Sequence, residues 1–187
     1  MERTVVLRDM RLVRIRPIAP RDAERSHAFF CGLPEEERDY LRRDVTRRDI
    51  IDQRIAETSS PLIDRIVALH DDSIVADGSL ERGQHQWEEH VGEIRLIVAP
   101  EFRGQGLGMR MARELCVMAH QHDVARIKIR IMRPQRQAAR IFEKLGFWEE
   151  YVFPQHVRDQ KGNLQDLVVL RCDLAVLTEE VHRTLPD

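Results

Sequence analysis

Between Val91 and Cys116 the chain reads VGEIRLIVAPEFRGQGLGMRMARELC, an apolar run that passes through three spaced glycines into a helical pattern. Gly104, Gly106 and Gly108 fall where strand residues stop and helix residues begin. A turn of that composition exposes several backbone N–H groups, and a helix start adds about half a positive charge, so an anion is favoured there. Bare Cα positions let a phosphate come close to the main chain. In the preceding strand Glu93 sits among Val91, Ile94 and Leu96. Partial burial would raise its pKa toward the range useful to a general base. The competing reading is a solvated or salt-bridged strand glutamate, paired for instance with Arg95 on the same face.

Other chemistries find little support. There is no G-x-x-x-x-G-K-[ST], and the glycine spacing is not G-x-G-x-x-G with an acid about 20 residues on, so triphosphate and dinucleotide loops are both disfavoured. His70, His85, His90, His120 and His122 lack a ligand spacing such as H-E-x-x-H, and no metal is expected; His156, on the approach to the last hairpin, could touch a substrate. Cys31, Cys116 and Cys172 are odd in number and far apart, which suggests neither a disulfide framework nor a zinc site. Charged residues make up 33% of the chain with a formal net charge of -2, and the signs are interspersed, so no field points to nucleic acid or membrane. Lysine occurs only at Lys128, Lys144 and Lys161; the other basic residues are all arginine, spread along the chain in the manner of a codon bias. The N-terminus lacks a signal-peptide layout and no apolar run approaches the roughly 20 residues of a membrane span, so a cytoplasmic protein is expected.

The elements that would position these residues follow from periodicity. At 187 residues a single domain over 1–187 is expected, burying roughly 70% of its unfolded surface. Leu12, Val13 and Ile15 alternate with arginines and stop at Pro17, which predicts a first or edge strand. Pro20 and Asp22 open a helix that Gly32 and Pro34 close, and residues 35–58 suggest one or two short amphipathic helices. Strands around 63–69 and 74–80 form a hairpin across Asp71-Asp72-Ser73, followed by a polar connection over 83–90. Then come a strand over 91–98, a helix over 109–122, a strand at 126–131 with Ile127, Ile129 and Ile131 facing one way, and a helix from Pro134 to Leu145 ended by Gly146. Strands at 147–153 and 167–170 close the pattern, with a charged tail from Thr178. One mixed sheet with helices on both faces is the predicted fold, of the α/β (α+β) class.

Arg103-Gly104-Gln105-Gly106-Leu107-Gly108 matches the [RQ]-x-x-G-x-[GA] signature, and in this the chain resembles the GNAT superfamily of acetyl-CoA-dependent N-acetyltransferases. The likeness extends to IRLIVAPEFRGQGLG, similar to that family's fourth strand, to AARIFEKLGF, similar to its fourth helix, and to VRIRPIAPRDAERSHAFF, similar to its opening strand and helix. The opening segment, with a glutamate ten residues before Arg103, is also similar to the acetyltransferase domains of bacterial protein-lysine acetyltransferases. The resemblance implies a central, mostly antiparallel sheet of about six or seven strands, splayed between the fourth and fifth. It implies that acetyl-CoA lies with its pyrophosphate on Arg103, Gly104, Gln105, Gly106, Leu107, Gly108 and Met109. The pantetheine arm would run beside the main chain of Leu96, Ile97 and Val98, with Gln135 and Ala138 on the fourth helix completing the cofactor site. Glu93 becomes the catalytic base, by analogy with the protein-lysine enzymes, with Glu88 and Glu89 as alternatives. A backbone N–H near Val98 would serve the oxyanion.

The chain departs from the family pattern at Phe142, where many members carry a tyrosine that protonates the leaving thiolate, and at Gln135, where an asparagine is common. Of the two tyrosines, Tyr40 and Tyr151, the second is the better placed by sequence to replace that acid. The expected reaction moves an acetyl group onto a primary amine, a protein lysine by the closer resemblance. A polyamine, aminoglycoside or amino acid is the alternative acceptor, and a catalytically weak acyl-CoA-binding regulatory module is the alternative function. The acidic trio Glu88, Glu89 and Glu93 would suit a cationic acceptor. No metal, nucleic acid or membrane partner is implied, and a homodimer is left open.

Overall fold

The computed structural model describes residues 2–175; the tail from Thr178 lies outside them. Eight strands form one sheet in the order β1-β2-β3-β4-β5-β6-β8-β7. They are β1 (Arg3–Val6), β2 (Leu12–Pro17), β3 (Ile63–His70), β4 (Ser73–Arg82), β5 (Val91–Val98), β6 (Arg126–Met132), β7 (Trp148–Arg158) and β8 (Leu164–Asp173). Every pairing is antiparallel except β5 with β6. The helices are α1 (Ala23–Gly32), α2 (Glu35–Arg38), α3 (Arg48–Ala56), α4 (Leu107–Gln121) and α5 (Arg136–Glu143).

The eighth strand beyond the predicted six or seven is β1, which pairs with β2 from Arg3↔Ile15 to Val6↔Leu12. It makes β2 the second strand instead of an edge. The last two strands run longer than predicted, and β7 carries Pro154 without breaking. As the outer strand it has a free side on which a missing N–H costs little, and the register slips between Phe153 and Val157.

Helix α4 buries Leu107, Met111, Leu115 and Ala119 on one stripe, with Gly108, Ala112 and Cys116 beside it, the spacing of a helix lying flat on a sheet. It covers the face that carries Gly78, where an added Cβ would stand 3.0 Å from Leu115 Cδ1. Each large apolar side chain buried there stabilises by about 1.5–3 kcal/mol. On the opposite face, Arg54 of α3 reaches Asp77 of β4 at 2.8 Å. Helix α1 is tied to the same side through Asp22, whose buried carboxylate receives both Arg16 Nη1 at 2.7 Å and Arg16 Nη2 at 2.8 Å, as well as the Ala19 N–H. That bidentate pair welds β2 to the start of α1.

The parallel pair is short. β5 and β6 are in register only at Val91↔Arg126, Gly92↔Ile127 and Glu93↔Lys128. Beyond that point β5 stays with β4 as far as Val98↔Ala76, and β6 stays with β8 as far as Met132↔Leu167. The sheet therefore opens between its fifth and sixth strands, the fourth and fifth of the family pattern once β1 is set aside.

Candidate active site

At the end of β5 the chain makes a short turn over Pro100–Phe102 and enters the glycine triplet. Gly104 has φ of 71° and Gly106 a φ of 91°, left-handed values that favour glycine, and Gly106 is the N-cap of α4. No hydrogen bond is donated by the N–H groups of residues 104–109, while Arg110 N–H closes the first helical turn onto Gly106 O at 3.1 Å. Six consecutive free donors at a helix start suit a diphosphate.

The open edge of β5 has a defined direction. Ala99 N–H donates to Val75 O of β4 at 2.9 Å. The Val98 carbonyl, on the other side of that trans peptide, faces the gap toward β6. By strand alternation the main-chain groups of Leu96 face the gap as well, whereas those of Ile97 are turned toward β4. Arg103 closes the far end, donating to the Val98 carbonyl from Nε at 2.8 Å and Nη2 at 2.7 Å while ion-paired with Glu37 of α2. Its side chain is thus occupied by protein groups.

A cleft runs into the gap, lined by Ile94 to Ile97 of β5, Ile129 to Ile131 of β6, and Gln135, Ala138 and Phe142 from α5. Gln135 caps α5, its Oε1 accepting from Met132 N–H at 2.8 Å. Phe142 is 2% exposed and packs edge-on against Phe147 with ring centroids 5.4 Å apart, a core residue with no proton to give. The other wall is an irregular segment, residues 39–47, that brings Tyr40, Leu41, Arg42 and Arg43 over the cleft. This strap is fastened on two sides. Glu37 holds Arg103 on one side; on the other, the β7-β8 turn gives Gln160 N–H to Asp39 O at 2.9 Å, Gln160 Nε2 to Arg43 O at 3.1 Å, and Lys161 Nζ to Asp39 Oδ2 at 2.6 Å.

Glu93 lies at the last paired step before the strands part and is only 6% exposed. Its Oε2 accepts from Arg130 Nη2 at 2.6 Å and Nε at 3.0 Å, its Oε1 is bonded by Arg42, and Arg95 Nε stands 3.8 Å away. The expected rise in its pKa does not occur. Burial does push the carboxyl up, but the Arg130 hydrogen bonds and the charges of Arg42 and Arg130 outweigh it, and the group lies below the ordinary glutamate range. Arg95 is only its distant neighbour and pairs with Glu81 at 2.8 Å. Glu88 shares a polar hollow with Glu81, Glu93 and Lys128, while Glu89 is exposed and does not line it.

The preference for Tyr151 over Tyr40 is also overturned. Tyr151 is 58% exposed on the outer strand, beside Phe153 and away from the cleft, whereas Tyr40 lines it. The sequence reading passed over Tyr40, Arg42 and Arg130. Only Arg130 had a visible signal, the alternation that sets it with Lys128 on the polar side of β6. Among the described residues, no group of three or more His, Cys, Asp or Glu is arranged to hold a metal, and no helix is long and apolar enough to cross a membrane.

Residues 24–147 match the model of the acetyltransferase (GNAT) family. No curated protein matches the chain at a significant level. Among solved structures, the acetyltransferase of GNAT family from Streptococcus pneumoniae is similar with a TM-score of 0.75 and 18% identity, over 86% of this chain and 99% of that one. The GNAT domain of S. lividans PAT gives 0.76 and 19%, over 92% and 96%. YncA of Salmonella typhimurium, solved with its cofactor acetyl-CoA, gives 0.71 and 20%, over 87% and 94%. At such identities these structures speak for the fold, which is the splayed sheet described above. The family model spans more than half of the chain, and the protein belongs to the GNAT acetyltransferase family as an acetyl-CoA-dependent N-acetyltransferase.

Proposed function

We propose that the acceptor is a primary amine, attacked directly, with Glu93 as the group that takes its proton. The observation that carries this reading is the place of Glu93, a buried carboxylate at the step where β5 and β6 part. Acetyl-CoA supplies the activated acyl group. The free N–H groups of Gly104 to Met109 would hold its pyrophosphate, the gap-facing main chain of Leu96 its pantetheine arm, the Val98 carbonyl being held by Arg103, and Gln135 and Ala138 the opposite side of that arm. In this reading Arg103 acts by shaping the loop. The Val98 N–H faces the gap and is the oxyanion donor.

Glu93 is ionised at neutral pH and so is in the proton-accepting form, but its arginines make it a weak base. When Arg42 or Arg130 is drawn away, one of the two influences that oppose burial is removed and the carboxyl becomes more basic. Tyr40, which lines the cleft with Phe142, takes the role of returning a proton to the leaving thiolate.

The test is thiol release from acetyl-CoA with a panel of primary amines, including spermidine, free amino acids and a lysine-bearing protein. Acetylation of at least one amine, lost in Glu93→Gln, is expected. Turnover of none of them at millimolar cofactor would overturn the reading.

A further inference from the structure

We infer that the end of the cleft beside Glu93 takes the acceptor and is built for an amine that also bears an anionic group, a carboxylate above all, seated on the guanidiniums of Arg42, Arg95 and Arg130. The inference deepens the amine-acceptor reading and rests on it.

The charges around the cleft do not balance. Six guanidiniums line it, from Arg42, Arg43, Arg54, Arg65, Arg95 and Arg130. Four carboxylates pair with them, three of them shared between two guanidiniums. Asp77 Oδ1 takes Arg54 at 2.8 Å and Arg65 at 3.2 Å, and Glu57 takes Arg43 at 3.0 Å with Arg65 at 4.0 Å. Glu81 takes Arg95 at 2.8 Å, and Glu93 takes both Arg42 and Arg130. Six cations against four anions leaves two positive charges uncompensated in the cleft.

The hydrogen-bond inventory agrees. The buried Nε atoms of Arg54, Arg65 and Arg95 have no partner, against a single unpartnered acceptor in the cleft, Asp77 Oδ2. Burial above all disfavours the charged form of Arg95, the neighbouring charges of Arg42 and Arg54 add to it, and Glu81 and Glu93 oppose them.

Two sets of arginines can be told apart by reach. Arg65 and Arg54 have side chains 2% and 13% exposed, and they pin α3 to the sheet through Asp77. Arg42, Arg95 and Arg130 are 35%, 34% and 41% exposed and arrive from three different elements, the strap, β5 and β6. Their planar forks match a carboxylate in two parallel hydrogen bonds. A polyamine would add positive charge where there is already an excess. A carboxylate that draws Arg42 or Arg130 to itself also releases Glu93, so that docking of the right acceptor and freeing of the base become one event.

The experiment compares kcat/KM for matched acceptors under saturating acetyl-CoA: L-amino acids, the same amino acids as α-carboxamides, spermidine and a lysine-bearing peptide. At least one acid is expected to exceed its amide by about 10- to 100-fold, the worth of a charge-assisted contact. In Arg130→Gln and in Arg42→Gln that ratio falls toward unity through a rise in KM for the acid, and Arg130→Lys restores part of it. Melting temperatures of the variants report whether they fold, and the second site keeps the test available if one does not. Amides equal to acids, or spermidine preferred over both, would overturn the inference while leaving the amine-acceptor reading intact. A preference for succinyl-CoA with uncharged amines would place the carboxylate on the donor and overturn it too. If no amine is acetylated at all, the reading of function fails instead. The cleft is then judged by thermal shift with the same ligands in the presence of CoA: stabilisation by acids and not by amides upholds it, and equal effects reject it.

Discussion

Replacing Glu93 by glutamine removes one negative charge from among three guanidiniums while keeping the shape of the side chain. Two effects follow, and they separate by assay. As a general base Glu93 would contribute about 10²- to 10⁴-fold to kcat, or about 2.7–5.4 kcal/mol of barrier. Breaking a fully buried ion pair would cost about 3–5 kcal/mol of stability, but Arg42 and Arg130 are 35% and 41% exposed and can turn to water, so about 1–2 kcal/mol is expected. For a chain of this size that lowers the melting temperature by about 2–8 °C. Steady-state thiol release and a thermal melt on the same preparation read both. The pH profile supplies the sign. The Glu93 carboxyl is held below its ordinary value, so it is ionised throughout the neutral range, and its stabilising pairings are lost only as pH falls through that lowered pKa. The kcat/KM profile, which reports the free enzyme, should therefore show no acid limb from Glu93 between about pH 6 and 8. A wild-type limb near neutrality that vanishes in Glu93→Gln would refute the ion-paired state. A kcat within threefold of wild type would refute the base role.

Tyr40→Phe should lower kcat by about 10- to 100-fold with little change in KM, whereas Tyr151→Phe should match wild type; equal rates for the two variants would remove Tyr40 from the chemistry. Gly106→Ala forces a side chain into a φ of 91° and should cost about 1–2 kcal/mol, read calorimetrically as acetyl-CoA affinity weakened by about tenfold. Gly108→Ala presses on the movable Ile141 Cδ1 at 2.8 Å, with Val98 Cγ2 at an ordinary 3.6 Å, and should bind more tightly than Gly106→Ala, and the reverse order would contradict the loop geometry. Asp22→Ala leaves the buried Arg16 unpaired and should cost about 3–5 kcal/mol in denaturant melts. The Arg16 hydrogen bonds hold the Asp22 pKa below the usual carboxylate range, so wild type loses this stability as pH falls through that lowered value. The variant should show a flatter acid dependence, and parallel acid slopes would count against the pair.

Where a residue sits on a long periodic element, the chain itself announces its place. The alternation of Ile127, Ile129 and Ile131 and the stripe from Leu107 to Ala119 carry the sheet and its covering helix, and the glycine triplet carries the turn between them. β1 escaped notice because its four residues are half-buried or exposed and show no inward face. The surroundings of Glu93 were illegible for a different reason. Arg42 lies in a charged stretch without period, 51 residues away, and only the fold brings it to the carboxylate. A glutamate among apolar neighbours reads as a desolvated acid, and nothing local reports the guanidiniums that reverse the shift. Tyr40 and Tyr151 were ranked by nearness in sequence to the fourth helix, while the contacts that set the strap over the cleft, such as Gln160 with Leu41 and Arg43, span more than a hundred residues.

The strap over residues 39–47 carries both Tyr40 and Arg42, and it is anchored to the glycine turn through Glu37 and Arg103 and to the β7-β8 turn through Gln160 and Lys161. A segment tied down on two sides does not swing like a lid. Selection among amines then falls to a fixed aperture whose size and charge are set before any substrate arrives, and little ordering remains to be done at the moment of binding.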